Sequence, residues 1–166
     1  VELSRIEEAL EKLPGVFQAM VRRVWPDALE LRIVETRAMA RFHSLQNPNE
    51  VSADSYINLP PSQVLSAAPV LRGPKAQRDT LVDVFFSIFP LLGEAGLQPL
   101  ELSVNKAGRW VLELQPDDAI TGARFSLLLG RDSVVEKVDR FARSYTVALL
   151  GKADLIAKVD MRYASG

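Results

Sequence analysis

The chain has 166 residues, of which 48% are hydrophobic and 25% charged, with 20 Lys and Arg against 21 Asp and Glu. This is globular composition, which excludes disorder as the default, and a formal net charge of -1 lacks the basic excess of a nucleic-acid binder. The absence of cysteine excludes thiol catalysis and disulfides, and fits either the cytosol or a disulfide-free extracytoplasmic domain.

In chain order, Ser4-Arg5-Ile6-Glu7 reads as a capping box, and Leu3, Ile6, Leu10 and Leu13 follow helical spacing. Pro14-Gly15 ends that helix. Phe17, Ala19, Val21 and Val24 then suggest a strand, Pro26-Asp27 a turn, and Leu29, Leu31 and Ile33 the returning strand of a hairpin. Ala38 to Phe42 reads as a third short strand. These elements hold too little chain for a comfortable core, so the first elements of this small domain are expected to lie outside the chain. Polar, turn-rich residues follow at Gln46-Asn47-Pro48-Asn49-Glu50 and Pro60-Pro61, which places a domain boundary near His43 to Gln46.

Beyond it, Gly73-Pro74 precedes a helix from about Lys75, and the apolar residues between Leu81 and Leu92 predict that it lies against a sheet. Pro90 is expected to kink it or end it early. The apolar run is too short to span a bilayer, so any membrane tether is expected outside the chain. Strands are predicted at about Leu100 to Val104, Trp110 to Leu114 and Ala123 to Leu129, with turns at Lys106-Ala107-Gly108-Arg109 and Pro116-Asp117-Asp118. Ser133-Val134-Val135-Glu136 reads as a second capping box. Val135, Val138, Ala142, Tyr145 and Leu149 line one face of the helix it opens, and Gly151 stops it.

The last stretch, Leu155 to Tyr163, has a strict period of two. Leu155, Ala157, Val159, Met161 and Tyr163 fall on one face, and Lys158, Asp160 and Arg162 on the other. A terminal strand of this kind is a natural edge for docking another strand, because its backbone N–H and C=O groups can pair with it.

Nothing in the sequence assembles a reaction centre. His43 is the sole histidine and has no ligand partner at metal spacing, so no metal or cofactor is expected. Asp117-Asp118 reads as a hairpin turn. Gly130-Arg131-Asp132-Ser133 lacks the lysine and hydroxyl of a phosphate loop and reads as a tight turn with an N-cap. Arg22 and Arg23 point to opposite faces of a strand, so with Trp25 they form no compact phosphate patch. The expectation is a protein that is not an enzyme.

Several motifs carry a resemblance. They are Leu13-Pro14-Gly15-Val16, then Val21-Arg22-Arg23-Val24-Trp25-Pro26-Asp27-Ala28-Leu29, Val34-Glu35, and Ala40-Arg41-Phe42. Pro69-Val70-Leu71-Arg72-Gly73-Pro74, Leu129-Gly130-Arg131-Asp132 and the terminal Val159-Asp160-Met161-Arg162-Tyr163-Ala164-Ser165-Gly166 follow in order. Together these resemble the periplasmic region of the bacterial FtsQ/DivIB cell-division family, over essentially the whole chain. The resemblance implies an α+β fold. A partial POTRA domain (1–44) would precede a β domain (45–166) whose mixed or antiparallel sheet is packed by two helices and lacks the family's final strand.

It also implies a non-enzymatic scaffold of the inner-membrane division machinery at the septum, single-pass, with this region in the periplasm. The β domain would hold FtsB and FtsL, and the POTRA domain other division proteins, with no nucleic acid bound. On that basis Arg162, Tyr163, Ser165 and Gly166 are the expected partner contacts, with Lys106 and Arg109 as weaker candidates. Without the resemblance, Tyr163 reads as core and Arg162 as solvated. The alternative function is a POTRA-containing chaperone or transport module for outer-membrane β-barrel clients, which would also use strand addition.

Overall fold

Alternating and helical hydrophobic patterns become twelve regular elements in the computed structural model, which describes residues 2–36, 39–50, 55–59, 65–117 and 122–163. In chain order these are α1 (Leu3–Glu11), β1 (Val16–Val24), β2 (Ala28–Glu35), β3 (Met39–Ser44), β4 (Tyr56–Asn58) and β5 (Val70–Gly73). They are followed by α2 (Arg78–Glu94), β6 (Leu97–Val104), β7 (Trp110–Pro116), β8 (Phe125–Gly130), α3 (Val134–Ser144) and β9 (Lys158–Asp160). The fold is α+β: β1 and β2 make a two-stranded sheet, and the other seven strands form a mixed sheet ordered β4-β3-β5-β6-β7-β8-β9. Contacts divide the chain into two units, 1–41 with 51–68 and 42–50 with 69–166, so β3 is shared between them.

In the first unit, β1 and β2 pair antiparallel as the hairpin pattern predicts. Ala19 and Val21 are buried, whereas Leu29, Leu31 and Ile33 remain 55%, 48% and 41% exposed. Two carboxylates of α1 reach the outer side of β1: Glu11 Oε1 accepts the Ala19 N–H at 3.0 Å, and Glu7 Oε1 the Val21 N–H at 2.7 Å. Glu7 therefore does not close the capping box expected at Ser4. Ser4 already lies inside α1, whose N-cap is Glu2, with no side-chain cap. Asn58 ties β4 to the loop before β1 by accepting the Gly15 N–H and donating to the carbonyls of Leu13 and Val16.

The second unit carries the larger core. Leu71, Leu102, Leu112 and Leu127 are in register across β5 to β8, all fully buried, and half-buried Val159 of β9 continues the row. Helices α2 and α3 contact each other, α2 also packs on β5 and β6 and α3 on β8, so both cover this apolar side. Leu81, Phe85, Ile88, Phe89 and Leu92 of α2 are buried, as are Val134, Val138, Phe141 and Ala142 of α3. Phe125, Phe141 and Tyr145 make a ring cluster with centroids 5.8–6.0 Å apart.

Of the kink or early end expected at Pro90, the early end does not occur, and α2 runs on to Glu94. The Pro90 ring sits on the exposed side, where water can take up the freed carbonyl, while buried Ile88, Phe89 and Leu92 hold the helix down. Ser133 does not cap α3 either. It adopts a left-handed conformation (φ 51°) with no side-chain cap. Lys137 secures that turn instead, its Nζ donating to the Leu129 carbonyl at 2.8 Å and to Asp132 Oδ1 at 3.2 Å. The expected turn residue Asp118 and the Pro60-Pro61 pair lie outside the described residues.

Candidate functional site

The last strand owes its position to one buried and one half-buried side chain and to a parity. Val159 and Met161 point inward, Met161 being 8% exposed. The Ser126 N–H donates to the Ala157 carbonyl at 3.1 Å, and the Met161 N–H donates to the Leu128 carbonyl at 2.8 Å. In this parallel pairing with β8, residues 157, 159 and 161 therefore bond inward. The backbone groups of Lys158, Asp160 and Arg162 point to the other side, where no strand is paired among the described residues. Among the described residues β9 is the last strand in the order of the seven-stranded sheet.

The strand is shorter than its alternation suggests. Leu155 belongs to a 3-10 turn and is 79% exposed, and Tyr163 lies past the strand and is 65% exposed. Neither completes the core. Past the last bond to β8, from the Met161 N–H, the chain folds locally, with Asp160 Oδ1 accepting the Arg162 N–H at 3.0 Å. The same carboxylate takes the Arg162 guanidinium, with Nε at 2.9 and 3.0 Å from its two oxygens and Nη2 at 2.6 Å from Oδ2. These bonds, the side-chain one first, hold the Asp160 carboxyl at about 2, and Asp160 in turn raises the Arg162 guanidinium. The Arg162 guanidinium also lies 5.6 Å from the Tyr163 ring centroid.

Register places the weaker candidates at the same end of the sheet. Gly130 pairs with Trp110, and a Cβ on Gly130 would sit 3.6 Å from Arg162 Cγ and from Lys137 Nζ. Those are ordinary contacts, so it is the backbone conformation, with φ at 78°, that favours glycine at 130. Lys106 and Arg109 stand exposed in the turn before Trp110, which Asn105 shapes by accepting the N–H groups of Ala107 and Arg109. Ser165 and Gly166 lie outside the described residues. Asp160 and Lys137 received no role from the sequence. The usable signal for Asp160 was its spacing from Arg162, since residues two apart on a strand share a face.

The other motifs have ordinary structural partners. His43 Nδ1 lies 3.2 Å from the Pro48 carbonyl, Arg22 pairs with Glu30 across the hairpin, and Trp25 is 89% exposed at its tip. Among the described residues no three His, Cys, Asp or Glu side chains gather as a metal site would require, and no helix is long and apolar enough to cross a membrane.

Comparison with known proteins adds two matches and a set of relatives. Residues 1–36 match the family model described as POTRA domain, FtsQ-type, and residues 45–162 match that of cell division protein FtsQ/DivIB, C-terminal. Among curated proteins, the cell division protein FtsQ of Coxiella burnetii is 28% identical over 98% of this chain and 63% of its own length. Those of Xanthomonas campestris pv. campestris and Allochromatium vinosum are 30% and 32% identical, over 100% and 99% of this chain and 56% and 62% of their own lengths. The chain thus spans about three fifths of the length of these relatives.

Proposed function

The chain belongs to the FtsQ/DivIB family of cell-division proteins, and from that premise we propose that it is a non-enzymatic scaffold of the division machinery. Residues 45–166 act as the β domain that holds FtsB and FtsL, and residues 1–44 as a POTRA domain that engages other division proteins. The parent protein sits in the inner membrane at the septum, with this region in the periplasm. A transport module for β-barrel clients is not favoured, because both matched models are FtsQ-type.

The observation that carries the reading is the outward-facing backbone row of β9 with exposed Tyr163 and Arg162 at its end. A partner strand resembling a segment of FtsB adds there, with main-chain hydrogen bonds to Lys158 and Asp160 setting register and side chains setting identity. Tyr163 offers a large exposed ring of the type enriched at interface hot spots. Arg162 offers a planar fork suited to a partner carboxylate, and Lys106 and Arg109 add positive charge at the same end of the sheet.

Binding of an FtsB-derived peptide, measured by calorimetry on variants first proven folded by circular dichroism, tests this. Tyr163→Ala should lose about 2 kcal/mol or more, and Arg162→Glu should lose more through like-charge repulsion. Folded variants that bind as the parent does would overturn the strand-addition mechanism.

A further inference from the structure

The outer side of β1 is filled by a helix rather than by a strand. Ala19 and Val21 turn their N–H groups away from β2, and Glu11 Oε1 takes the first at 3.0 Å and Glu7 Oε1 the second at 2.7 Å. The spacings match, since residues four apart on a helix rise about 6 Å and residues two apart on a strand about 6.6 Å. Two carboxylates one helical turn apart on α1 therefore meet alternate amides of β1, the repeat that the carbonyls of a neighbouring strand would offer. The order is antiparallel, with the later glutamate serving the earlier amide.

The usual protections of an edge strand lie to either side of this point. The β-bulge falls between Val16 and Gln18, and the charged residues of β1 are Arg22 and Arg23. Ala19-Met20-Val21 between them is apolar, without proline, charge or bulge. Antiparallel pairing of two β1 strands about Met20 would set Ala19 opposite Val21 and Gln18 opposite Arg22, with the outward N–H and C=O groups in phase. No arginine faces an arginine in that register, so the side chains of β1 do not oppose it.

We propose that Glu7 and Glu11 make α1 a surrogate neighbouring strand, which shuts the β1 edge against β1 of a second copy of this chain. A competing strand must break two charge-assisted bonds and move α1 aside before its first backbone bond forms. The device stands apart from the strand-docking reading above, because α1 and β1 lie in the first unit and β9 in the second.

Two measurements on the whole chain test this. Hydrogen exchange in dilute protein comes first. The double variant Glu7→Ala/Glu11→Ala should accelerate exchange of the Ala19 and Val21 amides about tenfold or more, the size of one charge-assisted bond. The Met20 amide, which faces β2, should stay as slow as in the parent. Glu7→Asp/Glu11→Asp keeps both charges but shortens their reach, and should behave as the alanine pair does. Ala19 and Val21 amides that exchange as in the parent overturn the caps. Self-association is measured next. In sedimentation velocity the parent should stay monomeric where the alanine pair dimerises with rising concentration. The chain has no cysteine, so Met20→Cys, at the centre of the proposed pairing and 44% exposed, reports the contact. On oxidation it should form a disulfide-linked dimer in the alanine background and not in the parent background. An alanine pair that stays monomeric with Met20 still protected overturns the closure. Dimerisation without the Met20→Cys link places the contact elsewhere and overturns it too, as does equal cross-linking in the parent background. Should the alanine pair lose the Met20 protection, the aspartate pair carries both measurements in its place.

Discussion

Gly73 ends β5 inside the Pro-Val-Leu-Arg-Gly-Pro stretch, and its surroundings say what one added methyl would do. A Cβ built there would lie 2.6 Å from Leu81 Cδ1 and 2.9 Å from Val104 Cγ1. Leu81 is 0% exposed and Val104 2%, and Val104 is β-branched and stiff, so neither side chain has free space to enter. Inserting a methyl into packing of this density costs about 1–3 kcal/mol, and the two short contacts put Gly73→Ala in the upper part of that range. Chemical denaturation followed by tryptophan fluorescence can read this in a Trp25→Phe background, where buried Trp110 reports the second unit alone. Leu81→Ala by itself should cost about 2–5 kcal/mol through the cavity it leaves. Combined with Gly73→Ala it should cost less than the sum, by about 1 kcal/mol or more, because the new methyl enters the vacated space. A Gly73→Ala variant within about 0.5 kcal/mol of the parent would refute the packing of α2 against β5 and β6 on which the second unit is built.

Further predictions concern single side chains. Phe85→Ala, at a position fully buried between α2 and the sheet, should destabilise by about 3–5 kcal/mol in the same assay, and a near-zero shift would mean that the face is open. The Asp160 carboxyl should titrate near 2 by carbon NMR, and Arg162→Ala should return it toward the usual 3.8. Because the folded value lies below the usual one, the Asp160–Arg162 contact contributes fully above about pH 4 and is lost as pH falls through about 2. A parent midpoint near 4 would show that the contact does not form in solution. His43→Ala should leave fold and peptide binding intact, and calorimetry with zinc should find no tight one-to-one site; such a site would overturn the reading of His43 as a strand residue facing the Pro48 carbonyl.

Much of the fold was legible because burial in this chain follows simple periods. The alternation in Trp110 to Leu114 and the helical spacing of Val138, Ala142 and Tyr145 each named the face that became core. Two failures concern helix caps. Ser4 and Ser133 both precede a glutamate by three residues, yet Glu7 is drawn to the Val21 N–H of a neighbouring strand, and Ser133 is held in a left-handed turn that Lys137 secures. At Ser4 the local signal lost to a neighbouring strand, and at Ser133 to a turn held by nearby Lys137. The terminal stretch failed differently. Its period of two is perfect, but alternation says nothing about a side chain that bonds its own backbone, as Asp160 does to the Arg162 N–H just past the strand. Of the candidate contacts, Arg162, Lys106 and Arg109 do gather at one end of the sheet, which sequence spacing alone does not reveal.

The central claim is that the outer side of β9 is where a partner strand adds. Hydrogen exchange with and without an FtsB-derived peptide, resolved to single amides, measures it most directly. On peptide binding, the outward amides of Lys158 and Asp160 should become protected, while those of Val159 and Met161, already bonded to β8, should change little. Binding that leaves Lys158 and Asp160 exchanging as before, with protection appearing on β4 or on the β1–β2 hairpin instead, would contradict it.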